Sequence, residues 1–131
     1  MTTVSQYGIT RTVTSGYEET MRRVKELLKE EGFGVLTEID VKLTLKDKLG
    51  KDVEPYVILG ACNPRLASRA LEAEPDIGLL LPCNVIVAAT PEVTRIGVVN
   101  PQTLVEITSN PVLAEVSHEA DERLRRVIER V

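Results

Sequence analysis

The chain of 131 residues contains no tryptophan, one phenylalanine, three tyrosines, one histidine and two cysteines. With so few aromatic side chains, a buried core has to be built from valine, leucine and isoleucine. The single histidine, His118, excludes every mechanism and metal site that needs two histidines from one chain. Its place between Ser117 and Glu119 in a helical pattern favours a surface position. Two cysteines are too few for a disulfide scaffold, so we expect reduced thiols.

Several motifs that indicate a particular chemistry are also missing. The chain has no glycine-rich phosphate loop, no Gly-x-Ser-x-Gly, no His-Glu-x-x-His and no Cys-x-x-Cys. The formal net charge of −4 argues against a nucleic-acid partner, because neutralising phosphates requires a basic surface. The paired arginines Arg22-Arg23 and Arg125-Arg126 are interleaved with acidic residues at helical spacing and predict solvated helix faces.

Membrane association is not expected either. The longest apolar stretch, residues 77–89, is interrupted by Pro82 and Asn84 and is too short to cross a bilayer. The first ten residues show neither the basic nor the apolar region of a secretory signal, so we expect a cytoplasmic protein. Hydrophobic residues make up 43% and charged residues 27% of the chain, which is typical of a globular protein. The length and the lack of a linker predict one domain over residues 1–131.

Hydrophobic periodicity predicts strands and helices that alternate along the chain. A strand over Tyr7–Val13 precedes the first helix. Ser15 is the predicted cap of this helix, and Glu18 completes a capping box. Gly32 is the predicted end of the helix. A second strand follows over Phe33–Ile39.

The middle of the chain repeats this alternation. Asp40 caps a short helix over Val41–Leu49. The continuous apolar run Tyr56–Cys62 is typical of a central strand. Asn63 and Pro64 are a favoured cap and first residue for the helix that follows.

The last third of the chain predicts a hairpin and further helices. The predicted elements are strand segments at Ile77–Leu81 and Asn84–Thr90, a turn at Pro91-Glu92, a strand over Thr94–Val99, helix starts at Asn100-Pro101 and Asn110-Pro111, and a long final helix. The first and final helices both carry an apolar stripe, which includes Leu28 in one and Leu124 in the other. We therefore expect the two stripes to share one core with the strands.

One constellation stands out from this background. A cysteine–asparagine pair occurs twice beside a proline: Cys62-Asn63 precedes one, and Cys83-Asn84 follows one. If the two strands are parallel, both cysteines lie at the carboxyl end of the sheet, within about 10 Å of each other, where ligands of open α/β sheets bind. The helix that begins at Asn63 also offers free N–H groups there, which suit an anion.

Three interpretations of these cysteines remain open. Cys62 and Cys83 are a nucleophile and its resolving thiol, two soft ligands of a metal ion, or small hydrophobic side chains of a core. Helix N–H groups stabilise a thiolate, so Cys62 is expected to be the more reactive of the two. A cysteine nucleophile normally needs a nearby base, and His118 lies far away in sequence. Binding is therefore favoured over catalysis, with Cys62, Asn63, Cys83 and Asn84 as ligand-binding residues.

Carboxylates offer a second, weaker candidate. Glu38 and Asp40 flank one predicted strand end, and Glu54 precedes another strand. Paired acids serve as general acid and base or as ligands of a hard metal ion, although Asp40 already has a role as a helix cap. Glu38 and Asp40 are therefore included among the candidate ligand-binding residues. The sequence identifies no cofactor, no particular metal and no catalytic residue.

Three motifs give the chain a resemblance to a known family. They are GFGVLTEIDV at Gly32–Val41, YVILGACNP at Tyr56–Pro64 and EPDIGLLLPCNVIV at Glu74–Val87. In this order they resemble the domain-of-unknown-function 302 family over nearly the whole chain. The resemblance implies an α+β fold with a mixed, largely antiparallel sheet. Together with the predicted elements, this gives a single-layer sheet packed with helices in the order β-α-β-α-β-α-β-β-α. It also implies a homodimer, and it transfers no catalytic residue because the family has no assigned activity.

Three hypotheses for function follow. The first is a homodimeric module that binds a small molecule or a soft metal ion near the two cysteine–asparagine pairs. The second is a thiol-dependent enzyme with Cys62 as its nucleophile. The third is an interaction domain whose dimer interface is the function. The expected proximity of Cys62 and Cys83 assumes that their two strands are parallel. An antiparallel sheet would weaken that expectation.

Overall fold

A computed structural model of the chain describes residues 2–131. Within this range, six strands are present: β1 (Thr2–Val4), β2 (Gly8–Val13), β3 (Gly34–Asp40), β4 (Tyr56–Cys62), β5 (Cys83–Ala89) and β6 (Thr94–Val99). The α-helices are α1 (Tyr17–Glu30), α2 (Val41–Leu49), α3 (Pro64–Ala73), α4 (Gln102–Thr108) and α5 (Ala114–Arg130). Two 3₁₀ segments, Pro75–Leu80 and Pro111–Leu113, complete the order. No helix in the described range is both long and apolar enough to cross a membrane.

The strands form one sheet in the order β1-β2-β6-β5-β4-β3. Each neighbouring pair in it is antiparallel. The α+β class with a largely antiparallel sheet is therefore confirmed, and among residues 2–131 the sheet contains no parallel pair. β1 is a strand that the sequence did not predict, because three residues are too few to show an alternation.

The cap of the first helix lies one residue after the predicted position. Gly16 occupies the cap position and makes no side-chain hydrogen bond, so Ser15 and Glu18 do not form a capping box. The Ser15 carbonyl instead accepts hydrogen bonds from the hydroxyls of Thr20 at 3.4 Å and Thr94 at 2.7 Å. Ser15 thus ties the start of α1 to the start of β6.

Three other predicted helix boundaries are confirmed. Asp40 Oδ1 accepts a hydrogen bond from the Leu43 N–H at 2.9 Å at the start of α2. Gly50 ends that helix with a φ of 65°, and Gly32 follows α1 with a φ of 85°. Both glycines adopt the left-handed conformation that commonly terminates a helix and that other residues rarely adopt.

The prediction of a strand over Ile77–Leu81 is wrong. The chain forms the 3₁₀ segment Pro75–Leu80 there, and β5 starts only at Cys83. A short apolar run does not distinguish a strand from a helical turn, and Pro75 is a favoured first helical residue. Within this segment Ile77 is buried and anchors it to the core.

Helices α1 and α5 share a core with one face of the sheet. Leu27 and Leu28 of α1 and Leu124 and Ile128 of α5 are fully buried in the same apolar cluster as strand residues such as Leu59. The predicted shared core of two helix stripes and the strands is therefore confirmed. A second, smaller apolar cluster joins α3, α4 and α5.

Polar contacts fix α5 against α1. The Glu31 carboxylate, just after α1, accepts hydrogen bonds of 2.8–3.1 Å from the Arg126 guanidinium. These bonds hold the pKa of Glu31 below its usual value. The Arg123 guanidinium also donates to the Glu31 carbonyl at 3.0 Å.

A third arginine joins β2 to the last turn of α5. Arg11 donates to the carbonyls of Ile128 at 3.1 Å and Glu129 at 2.6 Å. A cation is favourable at this position because the free carbonyls of a helix C-terminus carry partial negative charge. The contact connects residues 117 positions apart in sequence.

Candidate functional site

A cavity of about 360 Å³ lies between α3, α5 and the ends of strands β3, β4 and β5. Its wall is mostly apolar and is formed by Phe33, Leu36, Ala61, Leu66, Ala67, Ala70, Leu71, Gly78, Leu81, Pro82, Leu104, Val116 and Ala120. The remaining lining residues are Thr37, Cys62, Asn63 and Cys83. Because both cysteines face this space, the cavity is the candidate functional site.

Small side chains leave this space open. Ala67 and Ala70 on α3 and Ala120 on α5 line it where larger residues would fill it. The register of β3 shifts between Val35 and Thr37, so Leu36 forms a β-bulge. A β-bulge changes the direction in which its side chain points. Leu36 is 68% exposed although it lines the cavity, so it lies at the open edge.

The two cysteines meet through antiparallel pairing. Ala61 of β4 pairs directly with Cys83 of β5, and Cys62 follows Ala61. Paired Cα atoms are about 4.5–5.5 Å apart and consecutive Cα atoms about 3.8 Å, so the Cα atoms of Cys62 and Cys83 lie within about 10 Å. The expected proximity is correct, but the parallel pair from which it was derived is wrong. The end of one antiparallel strand meets the start of the next.

The two thiols differ in their surroundings. Both cysteines are free and partly buried. Burial, reinforced by the neighbouring Cys62, raises the pKa of the Cys83 thiol to about 11. Cys83 therefore stays protonated at neutral pH and is a poor nucleophile there, because the thiolate is the nucleophilic form.

Asn63 connects β4 to α3 and lines the cavity. Its Oδ1 accepts a hydrogen bond from the Leu66 N–H at 3.3 Å, and Pro64 is the first helical residue, so the predicted cap is confirmed. Asn63 is only 8% exposed. Its Nδ2 would be 3.0 Å from a Cβ atom built on Gly32. The buried side-chain atoms of residues 2–131 without a hydrogen-bond partner are Ser117 Oγ and Asp121 Oδ1, so the Asn63 nitrogen is not one of them.

The other residues predicted for the site lie elsewhere. Asn84 pairs with Gly60 and is exposed on the opposite face of the sheet. Glu38 forms an ion pair with Lys25 at 3.0 Å, and Asp40 caps α2. Neither carboxylate lines the cavity.

His118 also lies away from the thiols. Its side chain is 70% exposed on α5, where it contacts Glu122, and it does not line the cavity. No group of three or more histidine, cysteine, aspartate or glutamate residues suited to a metal ion occurs in the described part of the chain. The two thiols are thus the only strong metal-binding atoms at the described cavity wall, and a base from the lone histidine does not reach them.

The apolar wall is the part of the site that sequence patterns did not identify. Phe33, Leu66 and Val116 read as ordinary core positions, because periodicity shows which face of a helix is inward and not how tightly that face is filled. The signal available was the run of alanines at inward positions of α3, where Ala67 and Ala70 stand one turn apart on the face that carries Leu66.

The antiparallel sheet, its α1–α5 layer and the apolar cavity at the strand ends define an α+β protein with a preformed pocket. A family model described as "Domain of unknown function DUF302" matches residues 9–131. The chain belongs to this family, as its motifs predicted.

Among solved structures, that of a DUF302 protein is similar to this chain over almost its full length. It is the crystal structure of an uncharacterized conserved protein DUF302 from Bacillus stearothermophilus, with a TM-score of 0.88 and 37% sequence identity. The match covers 96% of this chain and 98% of that chain. No curated protein matches the chain.

Proposed function

We propose that the protein binds a small, largely apolar molecule in the cavity between α3 and α5. The observation that carries this proposal is the size and chemistry of the cavity: about 360 Å³ behind an almost wholly apolar wall. Small-molecule sites have volumes of about 300–1,000 Å³, with apolar walls and few polar groups. Apolar cavities of only about 150 Å³ already bind benzene.

The apolar wall of this space is open to water at the edge formed by Leu36. Apolar surface in contact with water costs about 25 cal/mol for each Å². Ala67, Ala70 and Ala120 keep this space open where a larger side chain would remove the cost. A ligand that fills the space explains why small residues line both of the facing helices.

Binding is better supported than thiol catalysis or soft-metal binding. A cysteine nucleophile needs a base to activate it, and His118 lies outside the cavity. Cys83 carries a raised pKa and stays protonated. Two sulfur atoms without a third strong ligand do not complete the coordination that most structural metal ions require.

The test uses the uncharged fluorescent probe N-phenyl-1-naphthylamine. We expect the probe to bind with enhanced fluorescence, and Ala70→Phe to weaken its binding at least about tenfold, a free-energy change of about 1.4 kcal/mol. Ala114→Phe is the matched control, because Ala114 is exposed on α5 and does not line the cavity. Probe titrations of the three proteins check this.

Two further measurements keep the test decisive. If Ala70→Phe lowers the melting temperature strongly, Ala67→Phe replaces it, since Ala67 lines the same wall and is less buried. Bound probe should also slow the alkylation of Cys62, measured in a Cys83→Ser background. Equal probe affinity in all folded variants, with no protection of Cys62, would contradict the proposal.

We also propose that the protein is a homodimer that pairs through the second face of its sheet. A shallow groove of about 470 Å³ crosses that face, and of the described residues that line it only Arg95 is charged. Tyr56, Ile86 and Val99 are among the others. The solvated face of an antiparallel sheet normally carries polar side chains. A nearly uncharged face suits an identical surface on a second copy, because Arg95 is the only charged residue of the groove that is repeated on both sides of the axis.

Light scattering tests this pairing at micromolar concentration. We expect twice the chain mass of 14.5 kDa for the parent protein and the chain mass for Ile86→Glu. Val112→Glu is the control, because it also places a charge at an exposed apolar residue but lies outside the groove. A parent protein of 14.5 kDa, or an Ile86→Glu variant that remains dimeric, would disprove pairing through this face.

A further inference from the structure

We infer that the ligand of this cavity is a neutral amphiphile, with its chain inside the cavity and its single polar end at the open edge beside Leu36. This inference rests on the proposed function and names the class of the ligand and its orientation. Medium-chain alcohols belong to this class. Three features of the wall support the inference: its lack of charge, the position of its exposed residues and the volume that it encloses.

The wall offers no partner for an ion. Among the described residues that line the cavity, none is a lysine, arginine, histidine, aspartate or glutamate. Cys83 is also uncharged at neutral pH, because burial raises its pKa to about 11. Glu119 and Arg69 line a separate groove and pair with each other at 3.7 Å. An ion loses hydration against an apolar wall without gaining a counter-charge, so the cavity favours a ligand without charge.

The exposed residues of the wall define where the cavity opens. Leu36 of β3 is 68% exposed, and Leu71 of α3 is 43% exposed. Thr37 and Gly78 also line the cavity and are exposed. The wall residues of α4 and α5 are buried: Leu104, Val116 and Ala120. The cavity therefore has an open edge at β3 and α3 and a closed end against α4 and α5.

This difference determines the orientation of an amphiphile. A polar group is costly in apolar surroundings unless it is hydrogen-bonded, and the closed end presents apolar side chains. At the open edge, water and the hydroxyl of Thr37 are available as partners. The chain therefore lies toward α4 and α5, and the polar end lies beside Leu36. An ionised end is less favourable there than a hydroxyl, because Leu36 and Leu71 displace part of its hydration and supply no counter-charge.

The volume of the cavity sets the length of the chain. Since about 150 Å³ accommodates benzene, 360 Å³ corresponds to roughly ten to fifteen non-hydrogen atoms. Decan-1-ol falls in this range. Decanoate and protonated decylamine have the same chain with a negative and a positive end, so the three ligands isolate the contribution of the end group.

The first measurement compares how these three ligands displace N-phenyl-1-naphthylamine from the parent protein at neutral pH, at concentrations too low for micelles. We expect decan-1-ol to bind about three- to tenfold more tightly than either ion, because only the ions lose hydration without gaining a partner.

The second measurement uses Leu36→Lys to locate the polar end. We expect this variant to bind decanoate about three- to tenfold more tightly than the parent and decylamine more weakly by a similar factor, because the new ammonium group lies beside the end group. Binding of decan-1-ol should change less than about twofold. Leu43→Lys is the matched control. Leu43 is 65% exposed but does not line the cavity, so this variant should bind all three ligands as the parent does.

Leu36→Glu should reverse the two ionic effects, and it decides the question if Leu36→Lys fails to fold. An ion that binds the parent as tightly as decan-1-ol would overturn the assignment of a neutral ligand. Variants at Leu36 that affect all three ligands equally, or none of them, would overturn the orientation. Both results leave the cavity proposal intact, whereas failure of the probe itself to bind the parent protein would overturn that proposal.

Discussion

Replacing Leu124 by alanine is expected to lower the free energy of unfolding by about 2–5 kcal/mol. Leu124 is fully buried in the cluster that joins α5 to α1 and the sheet. Removing its isobutyl group loses apolar contacts and leaves a void that the packed surroundings fill only in part. Leu28→Ala, on the facing helix, should lower the free energy of unfolding by a similar amount, because Leu28 is equally buried.

Urea unfolding followed by circular dichroism measures this effect. Leu79→Ala is the control, because Leu79 is 87% exposed and its truncation should change the unfolding free energy by less than about 0.5 kcal/mol. A Leu124→Ala protein that melts within about a degree of the parent would show that the α5 stripe does not support the core.

Gly60→Ala should destabilise the protein by about 1–3 kcal/mol through overpacking. A Cβ atom on Gly60 would overlap the hydroxyl of Thr37 on the neighbouring strand and would lie 2.8 Å from Cγ of Pro82. The proline ring is stiff, and Thr37 is held in register opposite Gly60, so neither neighbour can move away without cost. The methyl group therefore strains the end of β4 that bears Cys62.

A double-mutant cycle checks the cause of this loss. Thr37→Ala removes the hydroxyl that the new methyl group would meet, so it should recover part of the stability lost in Gly60→Ala. Gly78→Ala is the control, since nothing lies within 4 Å of a Cβ atom at Gly78. The explanation fails if Gly60→Ala unfolds at the same urea concentration as the parent, or if Thr37→Ala adds its own cost without any recovery.

Local signals in the sequence predicted much of the fold. Helix boundaries depend on contacts within a few residues, so they can be recognised without knowing the tertiary structure. The examples here are Asp40, Gly50, and Asn63 together with Pro64. Ser15 shows the limit of such signals. It has the chemistry of a helix cap, but its carbonyl accepts a hydrogen bond from Thr94 on a distant strand, and Gly16 occupies the cap position instead.

The candidate site was predicted only in part. Cys62, Asn63 and Cys83 do meet at one cavity, whereas Asn84 points to the opposite face because successive residues of a strand alternate between faces. The alternation shows which face Asn84 occupies only when the first residue of β5 is known. The apolar segment Ile77–Leu81 had been predicted as strand, so that first residue could not be identified from the sequence. The volume of the cavity depends on packing between α3 and α5, which are distant in sequence, so no local pattern encodes it.

The order of the strands also determines when the sheet can be completed. β1, β3, β4 and β5 each pair with the next strand in the chain, but β2 pairs with β6 far downstream. Arg11 likewise reaches α5 at a separation of 117 residues. Closing so long a segment carries an entropic cost before any contact repays it. A growing chain that has not yet reached Thr94 offers β2 no partner except β1. The N-terminal hairpin therefore joins the sheet through the least local contacts of the fold.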